Sequence, residues 1–198
     1  MNYHNYVTTV EFNLDRDKLR ESCEFIYEDV LEKHGHKPSE YEFGKGLKST
    51  KIYQHYNIFT YMVPEIANLY GCICSAYRDI SESQDQCFIA GWLNVYNKGD
   101  YIDWHTHWDG SYGSWHGYYG LDVEPSTTSY RIPGVENQVD VINKNNQLII
   151  SPSDGDEHRT WGWEEDRPRI TIAFDIVPAA NFTMKQIKTW ENHWIPVY

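Results

Sequence analysis

The chain has 198 residues, of which 29 are acidic and 17 are basic, so its formal net charge at pH 7 is −12. This length suits one domain with a sizeable core, and the negative charge opposes the phosphate neutralisation on which nucleic-acid binding depends. We therefore expect a single domain over residues 1–198 and no nucleic-acid partner.

The sequence has no apolar run that approaches the roughly 20 residues of a membrane helix. The first residues, MNYHNYVTTVEF, also lack the basic and then apolar character of a signal peptide. We therefore expect a soluble, cytoplasmic protein without a membrane partner. The four cysteines have no C-x-x-C spacing, which favours reduced and mostly buried thiols.

Residues 1–86 form the segment that we expect to be helical and to support the rest of the fold. Residues 15–34 and 64–80 each repeat apolar side chains at helical spacing, and Pro64 suits a first helical turn. These two segments are the predicted helices.

From Cys87 onward the sequence changes to short runs that are rich in β-branched and aromatic residues and are separated by turn residues. The predicted strands cover residues 87–96, 101–108, 116–124, 127–133, 139–142, 147–151 and 169–177. Helices followed by such strands predict an α+β, mainly β chain whose β part forms a sandwich or jelly roll.

The stretch YNKGDYIDWHTHWDG, residues 96–110, places His105, His107 and Asp109 at alternate positions. Along an extended strand, residues two apart lie on the same face. Neutral imidazole and carboxylate groups are ordinary ligands for iron, zinc, copper and nickel. The spacing therefore indicates a metal site.

Two later residues supply further parts of such a site. His158 would come from another strand and complete a facial triad, which leaves the opposite face of the metal open. Arg169, on the following predicted strand, could offer its planar fork to a carboxylate.

These segments resemble the 2-oxoglutarate- and Fe(II)-dependent dioxygenases, in particular the prolyl-4-hydroxylase-like branch and its short versions in phage and marine bacterial genomes. The resemblance covers residues 87–178. The matching pieces are N-V-Y-x-x-G-D from Asn94, H-T-H-W-D from His105, H-G-Y-Y from His116, S-P-S-x-G-D-x-H ending at His158, and R-I-T from Arg169.

The resemblance implies a double-stranded β-helix, a cupin-like jelly roll, over residues 87–178, with N-terminal bracing helices and a C-terminal extension over residues 179–198. It implies Fe(II), O2 and the small-molecule co-substrate 2-oxoglutarate. The implied reaction hydroxylates a C–H bond of a protein, peptide or small-molecule substrate and releases succinate and CO2. A phage-encoded member would act in the host cytoplasm.

The resemblance also implies roles for residues of the co-substrate pocket. Members of the family anchor the distal carboxylate of 2-oxoglutarate with an arginine that is followed, two residues on, by serine or threonine. Arg169 and Thr171 match this pattern. Tyr96 and Tyr119 match positions at which the family often adds a tyrosine hydroxyl.

Two registers of the metal triad stay open. The first takes His107, Asp109 and His158, which keeps the carboxylate ligand that is usual in the family. In the second, the prolyl-hydroxylase spacing Y-x-x-G-x5-H counted from Tyr96 ends on His105, so that the triad becomes His105, His107 and His158. His107 and His158 serve in both registers, and a four-ligand arrangement would use all of these residues.

The same residues allow two other functions. Three imidazole ligands would suit a cupin-like metal dioxygenase that does not use 2-oxoglutarate, and the 8 tryptophans would suit a non-catalytic jelly-roll module that binds carbohydrate. For the oxygenase, the expected catalytic residues are His107, Asp109, His158 and Arg169. The sequence indicates neither the substrate nor the oligomeric state.

Overall fold

The computed structural model describes residues 6–34, 48–49, 57–61, 63–108, 112–182 and 193–198. The N-terminal part contains strand β1 (Thr8–Glu11), helix α1 (Arg16–His34), strand β2 (Lys48–Ser49) and helix α2 (Pro64–Ser81). The later strands are β3 (Cys87–Tyr96), β4 (Ile102–His105), β5 (Trp115–Asp122), β6 (Ser126–Arg131), β7 (Val139–Asn143), β8 (Gln147–Pro152), β9 (Glu157–Thr160), β10 (Arg169–Pro178) and β11 (Ile195–Pro196).

The strands form two antiparallel sheets that face each other. The larger sheet has the order β1-β8-β5-β10-β3-β11, with β2 beside β3, and the smaller sheet has the order β4-β9-β6-β7. The hydroxyl of Tyr118 on β5 lies 2.6 Å from the Thr128 hydroxyl on β6 and 2.6 Å from the Asn143 side chain on β7, which joins the inner faces. This arrangement confirms the predicted jelly roll.

The two faces of strand β10 pack against different parts of the protein. Ile172 and Phe174 are fully buried and belong to the same apolar cluster as residues of both helices. Gly91 on β3 lies opposite Phe174, and a Cβ atom at Gly91 would come within 2.4 Å of the Phe59 ring, which precedes α2. The helices therefore cover one face of the sheet. The alternate residues of β10 face the smaller sheet.

The two predicted helices are confirmed to within one residue at each end. Pro64 begins α2, where its missing N–H costs no helical hydrogen bond. Glu82 follows the last helical residue; its φ of 53° is left-handed, and its N–H donates to the Arg78 carbonyl. None of the helices that the structure describes is long and apolar enough to cross a membrane.

The predicted strand over residues 101–108 is wrong in its second half. Strand β4 ends at His105, and Trp108 has a positive φ of 48°, which breaks the extended geometry. Strand β9, from which His158 was expected to come, is not among the segments with a β-like pattern, because its sequence EHRT lacks an apolar alternation. Strand β9 forms because it pairs on both sides, with β4 and with β6.

Helix α1 is tied to the larger sheet by two arginines that converge on one carboxylate. Arg16 donates to Asp122 at 2.7 Å, and Arg20 donates to the same carboxylate at 2.6 and 2.9 Å. Burial alone would raise the pKa of Asp122, but the hydrogen bonds and charges of Arg20 and Arg16 outweigh it and lower this pKa below its ordinary value. The ionised carboxylate is therefore the form that stabilises the fold.

We predict that Asp122→Asn lowers the free energy of unfolding at neutral pH by about 1–3 kcal/mol, because two half-buried guanidinium groups lose their charged acceptor. The stabilisation is present above the ordinary carboxyl pKa of 3.8 and is lost as the pH falls through the lowered pKa. The difference between the variant and the wild type should therefore shrink in acid. Urea unfolding at several pH values measures both effects.

Asp17→Asn is the matched control for this prediction. Asp17 also pairs with Arg20, at 3.0 Å, but its side chain is 86% exposed, so its loss should change the unfolding free energy much less. Equal losses in the two variants would contradict the anchoring role of Asp122.

Candidate functional site

Four histidine rings lie together between the two sheets. His105 at the end of β4 is directly opposite His158 on β9, and their ring centroids are 4.2 Å apart. His107 lies 5.2 Å from both of these rings. His116 on β5 stacks 4.7 Å from His107 and 4.7 Å from His158. The two sheets thus bring together histidines from three strands and one loop.

Three of these histidines have the geometry of metal ligands. One ring nitrogen of each of His105, His107 and His158 lies within 4.8 Å of the others. The Nδ1–H of His105 donates to the Asp103 carbonyl at 2.8 Å, and the Nδ1–H of His107 donates to the Asp175 carboxylate at 2.6 Å. Because these acceptors fix the hydrogen on Nδ1, Nε2 of both rings can bind a metal.

The fourth histidine belongs to a second group, in which His116, Asp156 and His158 are all buried. The Nε2 atom of His116 lies 3.0 Å from the Asp156 carboxylate and 3.1 Å from the Ser151 hydroxyl. Since this nitrogen is already hydrogen-bonded, His116 is better suited to support the neighbouring rings than to bind the metal.

The structure brings together three of the four predicted metal ligands. His105, His107 and His158 form the cluster, and Asp109 lies outside the residues that the structure describes. The register with Asp109 therefore stays a prediction. Imidazole ligands suit iron, zinc, copper and nickel, so the cluster fits the metal that the sequence predicts.

Arg169 lies between the sheets and is 1% exposed. Its Nε–H donates to the Ser126 hydroxyl at 3.2 Å, and its guanidinium carbon lies 4.5 Å from the centre of the Tyr96 ring. The buried Nη1 has no hydrogen-bond partner, and none of the described acidic side chains forms an ion pair with Arg169. A buried cation without a counter-charge is costly, so this guanidinium fits the carboxylate of a ligand.

Thr171 is also 1% exposed and shares the inner face of β10 with Arg169. Tyr96 lies opposite Arg169 on β3, which agrees with one pocket for these three residues. The described part of the structure thus places the two predicted anchor residues beside the predicted tyrosine.

Tyr119 is not part of this pocket, which corrects the sequence prediction. Its ring stacks 6.2 Å from Phe12, and its hydroxyl donates to the Asn146 side chain, on the helix-covered face of the larger sheet. The preceding residue, Tyr118, points inward instead. The adjacent tyrosines of H-G-Y-Y indicate that one ring faces the pocket, but the pattern does not show which.

Two tyrosines that the sequence analysis missed lie between Arg169 and the histidines. Burial raises the pKa of Tyr118 to about 12 and raises the pKa of Tyr130 well above its ordinary value. Tyr130 lies opposite His158 in the smaller sheet, with the ring centroids 5.4 Å apart. Both hydroxyls therefore keep their protons at neutral pH, and the hydroxyl of Tyr118 donates its proton to the Asn143 side chain.

Structural comparison identifies the architecture. No protein-family model and no curated protein matches the sequence. Among solved structures, a Pseudomonas putida prolyl-4-hydroxylase has a TM-score of 0.61 at 12% identity, over 89% of this chain and 95% of that chain. The fold is that of the 2-oxoglutarate- and Fe(II)-dependent oxygenases.

Two further structures show the breadth of this fold. A Trichoplax adhaerens prolyl hydroxylase, in complex with a peptide fragment of the hypoxia inducible factor oxygen degradation domain, has a TM-score of 0.65 at 10% identity, over 91% of this chain and 88% of that chain. An α-ketoglutarate-dependent carbocyclase from nogalamycin biosynthesis has a TM-score of 0.62 at 14% identity, over 89% of this chain and 81% of that chain. Each of these matches covers most of both chains.

We predict that His105→Ala lowers the affinity for Co(II) by more than about 100-fold, because the loss of a direct ligand exceeds the 10–100-fold cost of losing a supporting residue. His116→Ala should cost less, since His116 is hydrogen-bonded to Asp156. Isothermal titration of both variants and the wild type with Co(II) measures the difference.

The same titration of Asp109→Ala separates the two registers of the triad. Near wild-type affinity supports the three-histidine register, and a loss as large as that of His105→Ala supports a ligand role for Asp109. A larger loss for His116→Ala than for His105→Ala would contradict the proposed cluster and move the metal to the second group.

Proposed function

We propose that this protein is a Fe(II)- and 2-oxoglutarate-dependent oxygenase that hydroxylates a C–H bond. The observation that carries the proposal is the buried Arg169 guanidinium without a counter-charge among the described residues, in the same inter-sheet space as the three-histidine cluster. The fold supports the proposal, because structures with the same architecture include prolyl hydroxylases and an α-ketoglutarate-dependent carbocyclase.

The roles of the protein residues follow from their positions. His105, His107 and His158 would hold the iron, and Arg169 would pair with the distal carboxylate of 2-oxoglutarate. When bound, Fe(II) and 2-oxoglutarate supply the activation of O2 by oxidative decarboxylation, which releases succinate and CO2. The protein positions these groups and excludes water around them.

Tyr96, Tyr118 and Tyr130 shape the space between the arginine and the histidines. The Tyr118 hydroxyl is held by Thr128 and Asn143, so its position is fixed before a ligand arrives. Such preorganisation lowers the ordering cost of binding a small dicarboxylate. Thr171, on the same strand face as Arg169, completes the proposed anchor.

For the substrate, we propose a peptide, a protein segment or a small molecule. The Trichoplax hydroxylase with its bound peptide fragment supports the first two, and the carbocyclase supports the third. Substrate-contacting loops vary most within such scaffolds, so the fold alone does not choose between them.

The alternatives explain fewer observations. A three-histidine dioxygenase that does not use 2-oxoglutarate accounts for the metal cluster but gives the buried Arg169 no ligand. A non-catalytic carbohydrate-binding module accounts for exposed aromatic residues such as Trp161 and leaves both the arginine and the histidines without a role.

We predict that Arg169→Gln reduces the affinity of the Fe(II)-loaded protein for 2-oxoglutarate by at least about 10-fold, because a neutral amide replaces a bidentate charged donor. The uncoupled conversion of 2-oxoglutarate to succinate should fall with it. Anaerobic titration measures the affinity, and succinate quantification in air measures the turnover.

Arg131→Gln is the matched control, because Arg131 is exposed and paired with Glu157 on the outer side of the smaller sheet. It should leave the affinity for 2-oxoglutarate unchanged. Unchanged affinity in Arg169→Gln as well would contradict the anchor role.

A further inference from the structure

Asp175 is a buried carboxylate on the inner face of β10, where it is 5% exposed. One oxygen accepts the Nδ1–H of His107 at 2.6 Å, and the other accepts the indole N–H of Trp108 at 3.2 Å. Across the sheet, Asp175 lies opposite His116 on β5. The carboxylate is therefore adjacent to the histidine cluster and is held by two hydrogen bonds.

The hydrogen bond to His107 connects the carboxylate of Asp175 to the metal-binding side of the imidazole ring. A carboxylate that accepts the Nδ1–H of a histidine fixes the orientation of the ring and leaves Nε2 available for a metal. The carboxylate would in turn raise the electron density of the ring as a ligand.

We propose that Asp175 positions His107 for metal binding and supplies the site with negative charge through the imidazole ring. By accepting the Nδ1–H, Asp175 selects the tautomer whose Nε2 is available, and it fixes the plane of the ring. The inference rests on the proposed metal site. It holds in both registers of the triad, because His107 is a ligand in each.

The role is specific to a carboxylate at this position. If the triad is His105, His107 and His158, all three ligands are neutral and the negative charge that a ligand carboxylate would contribute is missing. In that case Asp175 would supply a negative charge near the metal through its hydrogen bond to His107, although it does not contact the metal itself.

Asp156 offers a matched comparison within the same cluster. It is 1% exposed and lies 3.0 Å from the Nε2 atom of His116, which we do not place among the ligands. Its distance to Nδ1 of His158 is 4.0 Å, too long for a hydrogen bond. Asp156→Asn therefore removes a buried charge near the site without removing the acceptor of a ligand histidine.

The test compares Asp175→Asn with Asp156→Asn and the wild type by Co(II) affinity and by the midpoint potential of the bound iron. We expect Asp175→Asn to lower Co(II) affinity by about 10–100-fold, the range measured for partners of metal-binding histidines. The Fe(III)/Fe(II) potential should rise, because the loss of a nearby negative charge disfavours Fe(III). Asp156→Asn should change both quantities less.

Equal effects of the two variants on affinity and potential would overturn the inference, since they would show a general charge effect rather than one through His107. Unchanged affinity and potential in Asp175→Asn would overturn it as well. A wild type that binds no Co(II) or Fe(II) would instead refute the metal site on which the inference rests. Circular dichroism and thermal unfolding of the metal-free variants establish that each is folded.

A measurement on the wild type covers the case in which Asp175→Asn does not fold. Nitrogen-15 NMR of the zinc-loaded protein, with His107 assigned by comparison with His107→Gln, reports which ring nitrogen carries the hydrogen. The inference predicts a protonated Nδ1 with a strongly hydrogen-bonded proton. A His107 ring with hydrogen on Nε2 would overturn it.

Discussion

The alternation of side chains along β10 is the constraint on which both the fold and the site depend. Its outward residues, including Ile172 and Phe174, join the sheet to the helices in one apolar cluster. Two of its inward residues, Arg169 and Asp175, are charged and buried. A shift of one residue in the register would exchange these faces, so packing against the helices also fixes where the two charges lie.

The inter-sheet space is organised by charge as well as by shape. Arg169 provides a positive charge at one end of β10, and Asp175 provides a negative charge beside the histidines toward the other end. Arg169 is buried without a counter-charge among the described residues, which is unfavourable for stability alone. The arrangement is favourable when an anion binds at the arginine and a cation binds at the histidines, and a chelated metal with a dicarboxylate supplies both.

The sequence predicted those parts of the site that depend on local spacing. The helices, most strands, and the positions of His158, Arg169 and Thr171 follow from periodicity and from the family motif. Asp175 could not be recognised in the same way, because the motif ends before it and a carboxylate in an apolar strand gives no sign of its partner. Its role depends on the turn after His105, which brings His107 back to β10.

The incorrect predictions for Tyr119 and for the end of strand β4 have the same physical cause. In H-G-Y-Y the face of each ring depends on the register between β5 and β10, in which Tyr118 lies opposite Ala173 and Tyr119 lies opposite Ile172. Strand β4 stops at His105 because the chain turns where Trp108 adopts a positive φ, and this ring packs against Phe182 and Trp194. Both outcomes are set by contacts distant in sequence, which local propensity does not encode.

The most direct test of the proposed function is anaerobic titration of the metal-free wild-type protein with Fe(II) and then 2-oxoglutarate, followed by visible absorption. The account predicts a charge-transfer band that develops with one equivalent of each, because the histidines would hold the iron that 2-oxoglutarate binds and Arg169 would hold the distal carboxylate of 2-oxoglutarate. A protein that binds Fe(II) but develops no such band at saturating 2-oxoglutarate would contradict the account.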